Sequence, residues 1–239
     1  MNILLIGYGR MGKLIEQTAA AAGDKIIATV DLDNIASLAT LGKEADVVID
    51  FSNPDAFAQI EDYIRRTGTP LLSGTTGLSA EQLSRIRALG AYAPVIHSGN
   101  YSLGIAVFQR VLQQVSGILK PDFDIEITEI HHNQKVDAPS GTALMLRDAV
   151  DSAHEYNTVY GRQGAVGKRA QNEIGMHSLR GGTVAGVHTV SFFGPDEELE
   201  ITHRATSRQI FVNGALHIAR ILKDMPCGAY DLQKLLFKD

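Results

Sequence analysis

The stretch NILLIGYGRMG, Asn2 to Gly12, decides the fold. Its first part, NILLIG, is a short and nearly continuous apolar run that ends in glycine, as a strand buried on both faces does. Gly7, Gly9 and Gly12 then follow with G-x-G-x-x-G spacing, where a strand gives way to a helix. Each glycine has a local reason. Gly7 permits the tight turn, Gly9 leaves room for a pyrophosphate against the backbone, and Gly12 lets the helix pack closely on the sheet. The helix start adds unpaired N–H groups and a partial positive charge. A second apolar run, KIIATVD, ends at Asp31, about twenty residues on, as a dinucleotide site expects. A carboxylate there can bind the adenosine ribose hydroxyls and repel a 2′-phosphate. No lysine or arginine follows until Lys43. The expected cofactor is therefore NAD(H), preferred over NADP(H), with NADPH possible. The alternative is a strand-to-helix turn that binds nothing.

Outward from this stretch the pattern repeats. MGKLIEQTAAAAG reads as a helix closed by Gly23, and ADVVIDFS as a third strand. NPDAFAQIEDYIRRTG carries helix punctuation at both ends. PLLSGTTG is a fourth strand and turn, SAEQLSRIRALGAYA a helix opened by Ser79, and PVIHSGN a fifth strand. This alternation predicts a parallel, doubly wound α/β sheet. After a boundary near Asn100 to Leu103 the reading changes. SLGIAVFQRVLQQVSGILK is a long helix, and DFDIEITEI alternates, with Phe123, Ile125 and Ile127 on one face. HEYNTVYGRQGAVGKRAQNE is polar and reads as a mobile loop. GTVAGVHTVSFFG and ELEITHRATS read as strands, and RQIFVNGALHIARILKDM as a closing helix. The second half thus predicts a mixed-sheet α/β domain with one covered face.

Composition bounds the function. The chain has 239 residues, 44% of them hydrophobic and 21% charged, which suits a packed core in one large or two modest domains. A formal net charge of −5 argues against a nucleic-acid partner. The single cysteine, Cys227, excludes an internal disulfide and is expected to serve packing rather than chemistry. The apolar start is too short for a membrane span and has no basic region before it, so no membrane association and a cytoplasmic location are expected.

A second stretch carries chemistry: EIHHNQKVDAPSGTALML, Glu129 to Leu146. The strand is expected to end near Ile130, leaving His131, His132 and Lys135 on a loop. Pro139 disfavours helix at Ala138. Ser140 is the expected N-cap for GTALMLRDAVDSA. Gly141 and Thr142 then fall in the first helical turn, where N–H groups can take a carboxylate. Cationic and proton-donating side chains beside an anion-binding helix start would suit a small acid that must accept a proton. Paired histidines also raise metal binding, but the helical His-Glu-x-x-His pattern is absent and no metal is expected. Two solvated loop histidines are the plain alternative. The turns SGTTG and HSGNYS lie at strand ends, where ligands of open parallel sheets sit, or are ordinary turns.

The stretch EIHHNQKVDAPSGTA closely resembles the signature of the dihydrodipicolinate reductase family of lysine and diaminopimelate biosynthesis. GYGRMG, SGTTG, GNYSLGI, LRGGTVAGVHTVSFFG, ELEITHRATSRQIFVNGA and GAYDLQKLL resemble that family in the expected order, over nearly the whole chain. The resemblance implies a Rossmann-type domain at 1–102, to which 208–239 returns. It also implies a substrate-binding and oligomerisation domain at 103–207, and a homotetramer. It implies that His131 and Lys135 are catalytic and that His132, Gly141 and Thr142 bind a cyclic dicarboxylate substrate. Cofactor contacts are implied at Gly7, Tyr8, Gly9, Arg10, Met11, Gly12 and Asp31. Two further loops, Gly74, Thr75, Thr76 and Ser98, Gly99, Asn100, Tyr101, are implied beside the nicotinamide. Three features depart from the family: a phosphate loop one residue shorter than in many members, Tyr101 where phenylalanine is common, and Val187 where glutamate is expected.

The expected reaction is hydride transfer from NAD(P)H to the ring of 4-hydroxy-tetrahydrodipicolinate or its dehydrated form. Lys135 would donate the proton, His131 would tune or share that role, and domain closure would exclude water. Two rivals stand beside it. One is another dehydrogenase on this architecture, such as an amino-acid or semialdehyde dehydrogenase; a semialdehyde enzyme of the acylating kind would need a nucleophilic cysteine, and Cys227 is expected outside the pocket. A non-catalytic dinucleotide sensor would have no use for His131, Lys135, Gly141 and Thr142 together.

Overall fold

The structure is a computed structural model that describes residues 1–237. The first strand, β1 (Asn2–Ile6), leads into α1 (Arg10–Ala21), and β2 (Lys25–Val30) into a 3-10 segment at Leu32–Ala39. Then come β3 (Val47–Asp50), α2 (Phe57–Thr67), β4 (Leu71–Ser73), α3 (Ala80–Ala88) and β5 (Pro94–His97). The second half opens with α4 (Leu103–Leu119), β6 (Asp124–His131) and α5 (Gly141–Val150). It continues through β7 (Asn157–Tyr160), β8 (Glu173–Arg180), β9 (Gly186–Gly194) and β10 (Glu197–Ala205). The chain ends with α6 (Gln209–Leu222), β11 (Gly228–Tyr230) and α7 (Leu232–Leu236).

The chain divides into two compact units, Met1–Ser102 with the segment from Gln209 onward, and Leu103–Arg208. Lys238 and Asp239, the end of the segment expected to return, lie outside the described residues. In the first unit the described strands form a six-stranded sheet, ordered β11-β5-β4-β3-β1-β2, with every pairing parallel. The order reverses at β1, between β2 and β3, which opens a crevice at the strand C-termini. Alternation along each buried strand serves two helical layers. Leu4, Ile6, Val48, Leu71 and Val95 pack toward Ile60, Tyr63 and Ile64 of α2. On the opposite side, α1 packs against α6, which also contacts β3, β4 and β5.

The second unit holds a five-stranded mixed sheet, ordered β10-β9-β6-β8-β7. Strand β6 runs parallel to β8 and antiparallel to β9. One face is closed by α4 and α5, through Ile105, Phe108, Leu112, Leu146 and Val150 on Ile125, Ile127, Ile174, Val190 and Phe192. The sequence-based expectation differs in several places. Strand β7 lies inside the segment expected to be a loop, and the expected pattern contains no counterpart of β8. Helix α5 stops at Val150, where Asp151 leaves helical geometry. Cys227 is exposed rather than packed.

Candidate active site

The first unit builds a cleft of about 420 Å³ at the sheet's C-terminal edge. Gly9, Arg10, Met11, Gly74, Thr75, Thr76, Gly99 and Tyr101 line it, joined by Phe51, Ser52 and Phe211. Gly7 has φ +89°, and a Cβ on it would collide with the Phe51 carbonyl. A Cβ on Gly12 would strike the Gly7 carbonyl in turn, so both glycines are fixed by backbone packing. Gly9 is different: a Cβ there would meet nothing within 4 Å. It precedes the first turn of α1, which carries no side-chain cap and no acidic residue. An anion is the natural partner for such a start. Asp31 follows β2, and its carboxylate accepts from Tyr8 N–H at 3.2 Å and Leu32 N–H at 2.9 Å. The position expected to sense the ribose is thereby tied to the glycine loop.

Asp50 organises the floor of this cleft. It is 4% exposed, at the end of β3, and accepts from the hydroxyls of Ser52 (2.5 Å), Ser73 (2.8 Å) and Thr75 (2.9 Å). Burial raises its pKa above the ordinary carboxylate value, against the pull of those hydrogen bonds. Gly74 has no room for a side chain, because a Cβ would enter the Phe51 ring. The hydroxyl of Tyr101 donates to the Ser73 carbonyl at 2.8 Å, so tyrosine here has a partner that phenylalanine lacks. Ser98 and Asn100 do not line the cleft but fold their own turn: the Ser98 hydroxyl donates to the Asn100 carbonyl at 2.8 Å.

The second unit gathers the other residues. His131 is the last residue of β6, not a loop residue as the sequence predicted. The strand reaches one residue further because β8 and β9 flank it, pairing His131 with Arg180 and Ile130 with Val187. Val187 is buried at 4% exposure. Alternation along β6 puts Ile125, Ile127, Glu129 and His131 on the buried face. Glu129 is 0% exposed, and both its oxygens accept hydrogen bonds, the Ser178 side chain being one partner beside those that follow. Oε2 accepts from His131 Nδ1 at 2.5 Å and from an Arg180 nitrogen at 2.9 Å. Oε1 accepts from the other Arg180 nitrogen at 2.8 Å and from Ser140 N–H at 3.2 Å. Burial would raise the Glu129 pKa, but Arg180 and His131 outweigh it and hold the carboxyl below its usual range. For His131, burial is the largest influence and lowers the pKa despite Glu129. A pKa below the ordinary imidazole value favours the neutral ring at pH 7, and beside an ionised Glu129 its hydrogen belongs on Nδ1.

Ser140 caps α5 as predicted, its hydroxyl accepting from Ala143 N–H at 3.2 Å. The same hydroxyl meets Nε2 of buried His188 at 3.0 Å, and the His188 ring stands edge-on to His131 at 5.1 Å. Burial, then His131, pushes the His188 pKa down to about 4. Gly141 is exposed, with open space where a Cβ would stand. Between strand and helix, Lys135 pairs with Asp137 at 2.8 Å, and Lys135 lowers the Asp137 pKa. His132 is half-buried, and its carbonyl accepts from Lys135 N–H at 3.2 Å. Glu129, Arg180, His188 and Asp50 escaped the sequence reading. Strict alternation from Ile125 already puts Glu129 inward, and Asp50 ends an apolar strand. Arg180 and His188 give no local signal.

Among the described residues, no helix is long and apolar enough to cross a membrane, and no cluster of metal-ligating side chains forms. Two family profiles match in order: "Dihydrodipicolinate reductase, N-terminus" over residues 1–101 and "Dihydrodipicolinate reductase, C-terminus" over 104–236. A 4-hydroxy-tetrahydrodipicolinate reductase of Exiguobacterium sp. is 41% identical over 238 residues, covering 98% of this chain and 95% of its own. The enzyme of that name from Clostridium tetani is 40% identical, covering 99% of this chain and 97% of its own. In fold, the chain is similar to a dipicolinate-bound dihydrodipicolinate reductase from Paenisporosarcina sp. TG-14. The TM-score is 0.78 at 20% identity, over 96% of this chain and 97% of the other. An amine dehydrogenase from Mycobacterium smegmatis shares the fold more loosely, with TM-score 0.59 at 12% identity, over 96% of this chain and 94% of the other. Matched by profile in both halves and aligned end to end with reductases at about 40% identity, this oxidoreductase belongs to the dihydrodipicolinate reductase family.

Proposed function

We propose that the chain reduces 4-hydroxy-tetrahydrodipicolinate to tetrahydrodipicolinate with a reduced nicotinamide dinucleotide, a step of lysine and diaminopimelate biosynthesis. One observation carries the reading: His131 and the start of α5 meet on a single buried carboxylate, Glu129, and the Arg180 that pairs with it also donates to the Asp137 carbonyl of the Lys135 loop. That arrangement suits an acid that must be held and protonated. Relatives at about 40% identity are named for this reaction.

The first unit fits the cofactor. Open space at Gly9 and the uncapped start of α1 leave backbone N–H groups for a pyrophosphate. Asp31 would take the ribose hydroxyls and favour NADH over NADPH. Phe51, the loop Gly74 to Thr76, Gly99 and Tyr101 would line the nicotinamide end. When bound, the reduced nicotinamide supplies a hydride to one ring carbon. Lys135 gives the proton to the adjacent carbon, so that hydride and proton together saturate one double bond. With the hydroxylated ring, water leaves first to create that bond. Neutral His131 offers its Nε2 lone pair and relays or steadies the proton rather than storing one. Gly141 and Thr142 N–H groups, with His132, hold the substrate carboxylates. The family resemblance further implies a homotetramer, which sedimentation velocity reads directly.

His131→Ala and Lys135→Ala test the assignment. Each should lower turnover by about 10²–10⁴-fold, the range for a lost acid–base group. NADH affinity should stay within about twofold, because neither residue lines the dinucleotide cleft. Near-normal turnover in both variants would refute it.

A further inference from the structure

We propose that Glu129 is the positioning residue of this site: its carboxylate, clamped by Arg180, fixes the His131 tautomer and registers that ring against the start of α5. The inference rests on the reductase reading and deepens it.

The geometry is specific. A carboxylate has room for about four hydrogen bonds, and Glu129 takes that many from Arg180, His131 and Ser140 alone, two per oxygen, with the Ser178 side chain as a further partner. Two come from Arg180 in a fork, which fixes the plane of the carboxylate. The remaining two go to the halves of the proposed receptor. His131 Nδ1 approaches Oε2 at 2.5 Å, and Ser140 N–H approaches Oε1 at 3.2 Å. An ionised carboxylate only accepts, so Nδ1 must carry the hydrogen and Nε2 the lone pair. Nε2 then faces away from Glu129, beside Gly186, where a Cβ would stand 3.1 Å from it. Arg180 also donates to the Asp137 carbonyl at 2.6 Å, in the segment whose side chain holds Lys135 at 2.8 Å. Proton donor, imidazole and helix start are thus referred to one buried ion pair. Glu129 touches no reacting atom; it acts through His131 and Ser140.

Glu129→Gln is the direct test, read by steady-state kinetics, by calorimetric binding of dipicolinate, and by two-bond ¹H–¹⁵N NMR of the His131 ring. The wild type should show only the Nδ1–H tautomer. The variant should show a mixture, with kcat lower by about 10²- to 10⁴-fold, the upper end being the loss when a tautomer-fixing carboxylate becomes its amide. Dipicolinate affinity should fall less, by under about tenfold, because the N–H groups of Gly141 and Thr142 remain. An unpaired Arg180 endangers folding of this variant. The double variant Glu129→Gln/Arg180→Met removes both charges and is read identically. An unchanged tautomer, or kcat within about threefold of wild type, overturns the positioning role. His131→Ala separates the two levels. If it loses turnover while Glu129→Gln keeps it, only the positioning role falls. If His131→Ala itself turns over normally, the role of His131 falls, and this inference with it, while the reductase reading falls only if Lys135→Ala is also near normal.

Discussion

Acidification from pH 7 to pH 5 should destabilise the second unit by about 2 kcal/mol through one side chain, His188. His188 is 4% exposed, on β9 opposite Glu129, with Nε2 on the Ser140 hydroxyl. Its Nδ1 finds no hydrogen-bond partner among the described residues. Burial and the nearby His131 lower its pKa from 6.5 to about 4; Glu129 opposes them, and His203 and Lys135 add to them. The sign follows from proton uptake. Below pH 6.5 the unfolded chain binds a proton that the folded chain refuses, so stability is complete above that value and is lost as pH falls toward 4. A single site with these two values lowers the unfolding free energy by about 2 kcal/mol at pH 5 and about 3 kcal/mol at pH 4. At about 2–4 °C per kcal/mol for a chain of this size, Tm drops by roughly 4–8 °C at pH 5. His131 and His203 are also lowered by burial and slope the same way, so the test is a difference. His188→Gln keeps an amide within reach of Ser140 and removes the titration. Urea unfolding followed by circular dichroism should give this variant a profile flatter by about 2 kcal/mol between pH 7 and pH 5. Parallel profiles for wild type and variant would refute the reasoning.

Three further outcomes follow from single contacts. Asp31→Ser removes the carboxylate that would repel a 2′-phosphate, so the kcat/KM ratio of NADPH to NADH should rise by about tenfold, and an unchanged ratio would show that Asp31 does not read the ribose. Gly74→Ala drives a methyl into the Phe51 ring; it should cost about 1–3 kcal/mol by thermal denaturation and weaken NADH binding in calorimetry. Ser140→Ala deletes the cap on Ala143 N–H and the contact with His188; the cap alone is worth about 1 kcal/mol, and a Tm within 1 °C of wild type would count against it.

The parts of the fold that sequence exposed are those fixed by neighbours along the chain. Gly7, Gly9 and Gly12 were legible because a tight strand-to-helix turn demands their spacing locally, and Ser79 and Ser140 because a cap acts within three residues. Strand β8 was hidden because EIGMHSLR keeps its apolar phase for only two positions, Ile174 and Met176, before Ser178 takes the next place and Leu179 falls on the other face. Gly175 is small there because the Glu126 side chain occupies the space a Cβ would need. Strand β7 was hidden in a polar segment because Asn157 to Tyr160 pairs only at the sheet edge. The site divided in the same way. His131, Lys135, Gly141 and Thr142 stood together in one stretch. Glu129 opens that same stretch, but the groups that hold it and Ser140 could not be seen there, since Arg180 reaches Glu129 from β8 and His188 reaches Ser140 from β9. Cys227 was misjudged because free cysteines are usually buried, whereas this one sits in the exposed turn after Pro226.

The central claim, that this chain is a nicotinamide-dependent reductase of a cyclic dicarboxylate, is tested most directly by one measurement. NADH oxidation is followed by absorbance on addition of freshly generated 4-hydroxy-tetrahydrodipicolinate, with the wild-type protein and with Lys135→Ala. The account predicts substrate-dependent oxidation by the wild type, with kcat reduced by about 10²-fold or more in Lys135→Ala. Folded wild-type protein that oxidises neither NADH nor NADPH in the presence of that substrate would contradict it.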